Sequence, residues 1–300
     1  MKMQRCSRGL RELCRLLGYT SQAYYQYRAG LEKRSLKEEL VIQQVIYHRR
    51  LQPRLGARKL LVVMQPFMDQ HAIHIGRDVF FELLRVNGFL VRRKRRGSRT
   101  TFSAHRLTKY PDLIKGYTVS RANELWVSDI TYIHLRKGFA YLSIITDAYS
   151  RRIMGFEVSR DLSAAGCNRA LQLALKSRTK EASLIHHSDR GIQYCSAEYV
   201  KLLNENQVSI SMTQSGDPRD NAIAERVNGI LKQELLERVY PNFKQAKEKI
   251  DQAIGIYNHL RPHSSVDMLT PEKAHAQNGE IRRRWKSYYK TRAKEVIMDD

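Results

Sequence analysis

Cysteine is scarce in this 300-residue chain, with Cys6, Cys14, Cys167 and Cys195 spread along it and no close CxxC pair among them. That spacing excludes an extracellular disulfide framework and a cysteine-ligated zinc fold, and it fits a reduced, cytoplasmic setting. Long apolar runs are missing as well. No stretch approaches the ~18 residues needed to span a bilayer. The start, Met1-Lys2-Met3-Gln4-Arg5-Cys6, has basic residues but no apolar core behind them, so no signal peptide is expected. Acidic residues are few: 30 Asp plus Glu against 53 Lys plus Arg leave a net charge of +23. A chain this basic is most simply the partner of a polyanion: nucleic acid, anionic membrane or an acidic protein.

What is present supports a folded chain of two or three domains. Hydrophobic residues make up 42 %, enough for a sizeable core. The charge is uneven. Residues 1–120 hold 25 basic and 8 acidic side chains, net +17, and residues 121–300 hold the other 28 and 22, net +6. A basic front half followed by a more balanced back half suggests a binding region attached to a different kind of domain.

In the front half the periodicity is helical. Leu10, Leu13, Leu16 and Leu17 recur at helical spacing, Gly18 ends that helix and Thr20 caps the next, which carries Tyr24, Tyr25 and Tyr27. Further helices are expected over Leu36–Arg50, from Gly56 to Gln65 before Pro66, and from Gly76 to Asn87 ahead of Gly88. Two short helices around a tight glycine turn suit a helix-turn-helix, although any small helical hairpin reads the same way. Arg54, Arg58, Lys59, Arg77 and Arg85 are candidate phosphate contacts, as is the linker run Arg92-Arg93-Lys94-Arg95-Arg96. His71 and His74 lack the further ligands of a closed zinc site. The expected division is a short helix-turn-helix over 1–35, a helical DNA-binding domain over 36–91, a basic linker over 92–120, a larger core domain over 121–275 and a basic tail over 276–300.

Beyond the linker the pattern changes to strands. Leu125–Ile133, Phe139–Thr146 and Ile153–Val158 read as a meander, rich in β-branched and aromatic residues. A helix from Ser163 to Lys176, a short strand near Leu184–His187, a helix from Ala197 to Asn206, a strand over Val208–Met212 and a long helix after Pro218 follow. Together they predict an α/β domain with a mixed sheet and packed helices, preceded by all-α modules.

Three acids stand out. Asp129 lies inside the first strand, where a carboxylate needs a partner. Asp189 lies just past the fourth strand and Glu225 on the long helix. Carboxylates suit hard Mg²⁺, and two such ions can activate a nucleophile and stabilise the leaving oxygen of a phosphodiester. Asn221, Glu225, Asn228 and Lys232 fall at i, i+4, i+7 and i+11, one stripe of that helix, while Ile223, Val227, Ile230, Leu231 and Leu235 can pack on the sheet. An ordinary amphipathic helix with a solvated face would show the same stripe.

The local sequences add weight. Trp126-x-x-Asp129-Ile130-Thr131-Tyr132, His187-Ser188-Asp189-Arg190-Gly191-x-Gln193-Tyr194, and Asp220-Asn221-Ala222-x-Ala224-Glu225-Arg226 with Lys232 seven beyond the acid resemble the DDE integrase core. Thirty-five residues separate Asp189 from Glu225, and Tyr257-Asn258-x-x-Arg261-Pro262-His263-Ser264-Ser265 with Thr270-Pro271 looks like the end of the same domain. The likeness is to the second-reading-frame product of insertion-sequence-three family transposases. It covers residues 120–275, and residues 1–110 match more loosely, through Gly18, Tyr25 and Gly56-x-Arg58.

The resemblance implies a ribonuclease-H-like core with a five-stranded mixed sheet, in which Asp129, Asp189 and Glu225 bind two Mg²⁺, or Mn²⁺. It implies nicking at the ends of an element, then strand transfer by the freed 3′-hydroxyl without a covalent enzyme intermediate. Lys232 matches the family's basic residue and would contact terminal DNA, with Asn221, Arg190 and Arg226 as further positioning candidates. The implied partners are double-stranded DNA, both terminal inverted repeats and target, a second copy of the chain, and the upstream-frame protein as a frameshift fusion. The implied location is the bacterial nucleoid. The zinc domain of retroviral integrases is absent and no leucine heptads occur, so end recognition falls to the helical front half. A catalytically dead DNA-binding regulator predicts loss of an acid, whereas all three are present. A hydrolysis-only ribonuclease H would carry an acid on the helix after the third strand, and Ser163–Lys180 has none.

Overall fold

The computed structural model describes residues 9–91, 107–178, 183–214 and 221–282. The chain divides into two units, one over residues 1–51 and 56–91, the other over 52–55 and 92–300.

In the first unit, α1 (Leu10–Leu16) ends at Gly18, whose φ of +76° is the left-handed turn that glycine adopts without strain. Thr20 then caps the next helix, its Oγ1 accepting the Ala23 N–H at 3.1 Å. That helix, α2 (Ser21–Leu51), is unbroken, so the expected boundary at 35/36 falls inside it. Residues 28–35 carry little apolar periodicity, yet they contain no proline. The single Gly30 costs a helix only about 1 kcal/mol, and Arg34 bridges to Glu38 one turn on at 2.8 Å.

The helix expected to stop before Pro66 also runs on, as α3 (Ala57–Gln70). Proline removes one backbone bond, but Leu60, Met64 and Met68 form a buried stripe on both sides of it, and that packing keeps the helix going. After α4 (Arg77–Val86) the chain turns at Gly88 with φ +71°. α2 packs on α3 and α3 on α4, with Val41, Val45, Phe80 and Leu84 buried.

The second unit is built on one sheet of five strands in the order β3-β2-β1-β4-β5. These are β1 (Leu125–His134), β2 (Phe139–Asp147), β3 (Ile153–Ser159), β4 (Leu184–Ser188) and β5 (Val208–Met212). The first three are antiparallel, while β4 and β5 run parallel to β1. This is the ribonuclease-H-like topology.

Alternation along the strands fills both faces. On one, Ile133, Leu142 and Ile144 join Val227 and Ile230 of α7 (Ala222–Ile230) and Ile250 and Ile254 of α8 (Phe243–His259). On the other, Trp126 and Ile145 meet Ala170, Leu171 and Ala174 of α5 (Ala164–Lys176) and Tyr199 and Leu203 of α6 (Ala197–Glu205). Gly155 of β3 lets α5 approach closely, since a Cβ there would lie 2.2 Å from the Ala170 carbonyl oxygen.

The long helix expected after Pro218 is composite. α7 ends at Ile230 and continues as a π-turn, Leu231–Leu235, closed by the Leu236 N–H on the Leu231 carbonyl at 2.8 Å. A short α9 (Pro271–His275) follows. Among the described residues no helix is long and apolar enough to cross a membrane. The described cysteines, Cys14, Cys167 and Cys195, are free and buried. The run Arg92–Arg96, Asp220 and the tail beyond Arg282 lie outside the described residues.

Candidate active site

Strand order determines where the acids meet. β1 is central: Asp129 pairs with Ile144 of β2 on one side, and on the other the parallel pairing with β4 runs over Leu125–Val127 and ends just before it. Asp189 follows the C-terminal end of β4, the edge of an open α/β sheet where functional groups gather. Alternation turns Val127 and Asp129 to the face covered by α7. Leu125, Val127 and Ala148 pack against Ala224 there, next to Glu225.

Asp129 is partly buried and doubly bonded. Its Oδ2 accepts the Asn228 Nδ2 N–H at 2.8 Å, and its Oδ1 accepts the Ile130 N–H at 2.9 Å. Even so, its pKa is pushed up to about 7. Desolvation is the largest cause, then repulsion from Asp189, with a smaller push from Glu225, while the two hydrogen bonds oppose. The three carboxylates thus share one electrostatic neighbourhood. Among the described residues, however, no group of three or more His, Cys, Asp or Glu side chains is gathered closely enough to hold a metal ion.

Asp189 is held by its own turn, its Oδ1 accepting the Gly191 N–H at 3.0 Å. A Cβ on Gly191 would lie 2.9 Å from that same oxygen, so glycine is what permits the contact. Glu225 is exposed on the first turns of α7. Lys232 is exposed in the π-turn. Desolvation lowers its pKa and the Asp129 charge raises it, which puts the ammonium in the field of that carboxylate.

The other sequence candidates are placed less centrally. Asn221 is buried at the N-cap of α7, and its amide N–H is donated across to the Ser128 carbonyl at 2.8 Å. It therefore fastens the helix to β1 instead of reaching out toward a phosphate. Arg190 donates to Gln214 Oε1 at 3.0 Å, and Arg226 is exposed on α7. Arg58 is exposed on α3. Arg77 and Arg85 pair with Asp78 and Glu82. His71, exposed at the end of α3, turns its Nδ1 toward the Phe67 carbonyl at 2.9 Å.

The two histidines ahead of Asp189, which strand-end position marks as more often packed than catalytic, belong to a buried polar network. His186 Nε2 sits between Ser128 Oγ at 2.6 Å and Tyr199 OH at 2.8 Å. Burial, then the neighbouring His187 charge, lowers the His186 pKa to about 3, so the ring is neutral near pH 7. His187 is also buried, its Nδ1 2.9 Å from Ser211 Oγ. Both histidines are buried and hydrogen-bonded to neighbouring elements, His186 in register with Trp126 and His187 with Val127. Asn228 was legible only as a stripe member, three residues beyond Glu225.

The donors around Asp129 are oxygens, as a hard divalent cation prefers. Asn228 Oδ1, on the amide that bonds Asp129, is buried with no hydrogen-bond partner among the described residues. The chemistry of the set fits such an ion.

Two integrase core domain models match, over residues 119–218 and 206–271. An insertion element IS600 31 kDa protein of Shigella sonnei is 30 % identical over 86 % of this chain and 96 % of its own length. The transposase InsF for insertion sequence IS3fB of Escherichia coli is 32 % identical over 65 % of this chain and 69 % of its own. Among solved structures, the HTLV-2 integrase catalytic core domain in complex with magnesium is 18 % identical, with a TM-score of 0.42, over 52 % of this chain and 97 % of its own. With identity running along nearly the whole of the first relative, and both core matches lying on the elements that carry Asp129, Asp189 and Glu225, this chain belongs to the insertion-sequence-three family of DDE transposases, enzymes of DNA transposition and integration.

Proposed function

We propose that Asp129, Asp189 and Glu225 are the catalytic acids of this transposase and that together they hold two Mg²⁺ ions, with Mn²⁺ as a substitute. The observation that carries this reading is the raised proton affinity of Asp129, caused in part by Asp189 and Glu225. Three like charges gathered in partly desolvated surroundings are unfavourable by themselves, and a divalent cation among them reverses the sign of that interaction. Bound there, the ions would supply charge stabilisation for the attacking and leaving oxygens of an in-line displacement.

The chain's own residues do the rest. Asn228 orients the Asp129 carboxylate and the Gly191 N–H orients that of Asp189. Asn221 ties α7, and with it Glu225, to β1. Lys232 holds a DNA phosphate beside the acids. In the first step a water oxygen bonds to phosphorus as the bond to the 3′-oxygen breaks, leaving a 3′-hydroxyl and a 5′-phosphate. In the second, that 3′-hydroxyl oxygen bonds to another phosphorus and displaces another 3′-oxygen. Each step exchanges one P–O bond for another, so no nucleotide cofactor and no protein–DNA bond are needed. α5 carries no acid, which favours joining chemistry over a hydrolysis-only ribonuclease H.

Recognition of the terminal repeats is assigned to residues 1–91 and the basic linker, through Arg58 and Arg92, Arg93, Lys94, Arg95 and Arg96, with Arg190 and Arg226 as further phosphate contacts nearer the acids. The chain acts on element ends and target DNA as a homo-oligomer at the bacterial nucleoid, with the upstream-frame protein joined as a frameshift fusion for full activity. The test uses purified protein and a labelled duplex carrying the terminal repeat of its element, with Mg²⁺ or with EDTA. Metal-dependent nicking plus a joined product is expected. Binding with neither reaction, from this chain and from the fusion alike, would overturn the reading in favour of a regulator.

A further inference from the structure

The Tyr257–Arg261 segment makes contacts that the scheme above leaves unused. Tyr257 donates its hydroxyl to the Arg151 carbonyl at 2.9 Å, in the turn between β2 and β3. Asn258 accepts the Ile153 N–H and donates to the Ile153 carbonyl, both at 3.0 Å, as a strand neighbour would at the edge of the sheet. The end of α8 is therefore fixed to the sheet. Three residues on, Arg261 is 1 % exposed and forks onto Glu234, with both N–H···O distances at 2.8 Å. A further N–H goes to the Pro262 carbonyl at 3.2 Å, and the Tyr257 ring lies 5.8 Å from the guanidinium.

Glu234 belongs to the π-turn, two residues beyond Lys232. A π-turn is rarer than α-helix and needs outside support, and such turns cluster at functional sites. A buried ion pair is weak evidence for stability, because apolar side chains of similar volume usually serve the fold as well. A bidentate pair does specify geometry. Arg261 connects a fixed point on the sheet to the one irregular turn in the helix that carries Glu225 and Lys232.

We propose that Arg261 is a positioning residue: by gripping Glu234 it holds the π-turn in the form that presents Lys232 beside Asp129, and so fixes the lysine's contact with DNA phosphate. This rests on the reading of Lys232 as a phosphate contact and assigns a role to two residues outside that reading.

The test measures binding of the full chain to the terminal-repeat duplex across a salt series, for Lys232→Ala, Glu234→Gln and the double variant, with thermal unfolding recorded for each. Loss of one phosphate contact makes the slope of log affinity against log salt shallower by about 0.9. The expected result is that Lys232→Ala and Glu234→Gln each lose this amount and the double variant loses no more than Lys232→Ala alone. A merely structural role for Glu234 would lower thermal stability and leave the slope intact. Full slope in Glu234→Gln, or losses that add in the double variant, overturns the inference while sparing the lysine. An unchanged slope in Lys232→Ala overturns the phosphate reading itself and the inference with it. Should Glu234→Gln fail to fold, Glu234→Asp keeps the charge, withdraws the carboxylate by one methylene and is scored by the same criteria.

Discussion

Asn228 of α7 donates its side-chain N–H to Oδ2 of Asp129 on β1 at 2.8 Å, joining the helix that carries Glu225 to the strand that carries the first acid. The bond crosses 99 residues of sequence. It orients one carboxylate oxygen and favours its charged form against desolvation. Asn228→Ala should lower single-turnover nicking by about 10–100-fold, the usual effect of removing a residue that orients a metal-binding carboxylate. It should also shift the Mg²⁺ requirement upward. A normal rate at normal Mg²⁺ would remove Asn228 from the site.

Asp129 makes a second prediction, in pH. Its folded pKa of about 7 lies above the ordinary carboxylate value of 3.8. Between those two values the folded chain therefore binds more protons than the unfolded chain, and metal-free stability falls as pH rises. Asp129→Asn should be the more stable protein at pH 8 without metal, by on the order of 2–4 kcal/mol, should keep less than half of that advantage at pH 5, and should lose it fully only below the unfolded value of 3.8. Denaturant unfolding at the two pH values measures it, and an advantage equal at both would refute the shift.

Glu225 is exposed, so Glu225→Gln should leave thermal unfolding and duplex binding nearly unchanged while abolishing nicking. Gel-based cleavage in Mg²⁺ decides this. Cleavage at the wild-type rate would remove Glu225 from the triad.

Gly191→Ala would push a Cβ against Asp189 Oδ1. The carboxylate must shift by a few tenths of an ångström or lose its bond from residue 191, and a small misplacement at a reacting centre costs up to ~100-fold in rate. Reduced nicking with a nearly unchanged unfolding midpoint is expected. A fall in stability with unchanged activity would count against the placement of Asp189.

Gly155→Ala separates fold from chemistry in the opposite sense. The new methyl would meet the backbone of Ala170 and Ala174 in α5, and backbone has no rotamer to yield. A loss of about 2–4 kcal/mol is expected, at the upper end of overpacking effects, read from urea unfolding. An unchanged midpoint would mean that α5 does not sit tightly on β3.

Much of the catalytic unit was legible because alternation and helical period are local signals. β5 has the bounds expected for it, and the other strands and α5 differ from expectation by about a residue. Two helices ran past their expected ends for a physical reason. Burial of Met64 and Met68 outweighs the bond lost at Pro66, and the stretch around Gly30 lacks periodicity without containing a strong breaker. The stripe Asn221, Glu225, Asn228 and Lys232 was visible as spacing, but spacing does not say which members are used within the protein. Asn221 turned out to serve the Ser128 carbonyl.

The sequence by itself determined the alphabet of this protein: strands where β-branched residues alternate, three acids in their local motifs, a strongly basic front half. Those features depend on neighbours within a few residues, so they survive in one dimension. Only the tertiary structure decided what those residues face. It brought Asp189 beside Asp129 because β4 pairs in parallel with β1, set His186 between Ser128 and Tyr199, and joined Arg261 to Glu234 across 27 residues. Each of these contacts exists because sheet order and helix packing exclude water and bring distant polar groups within bonding distance, and chain spacing alone carries no record of that.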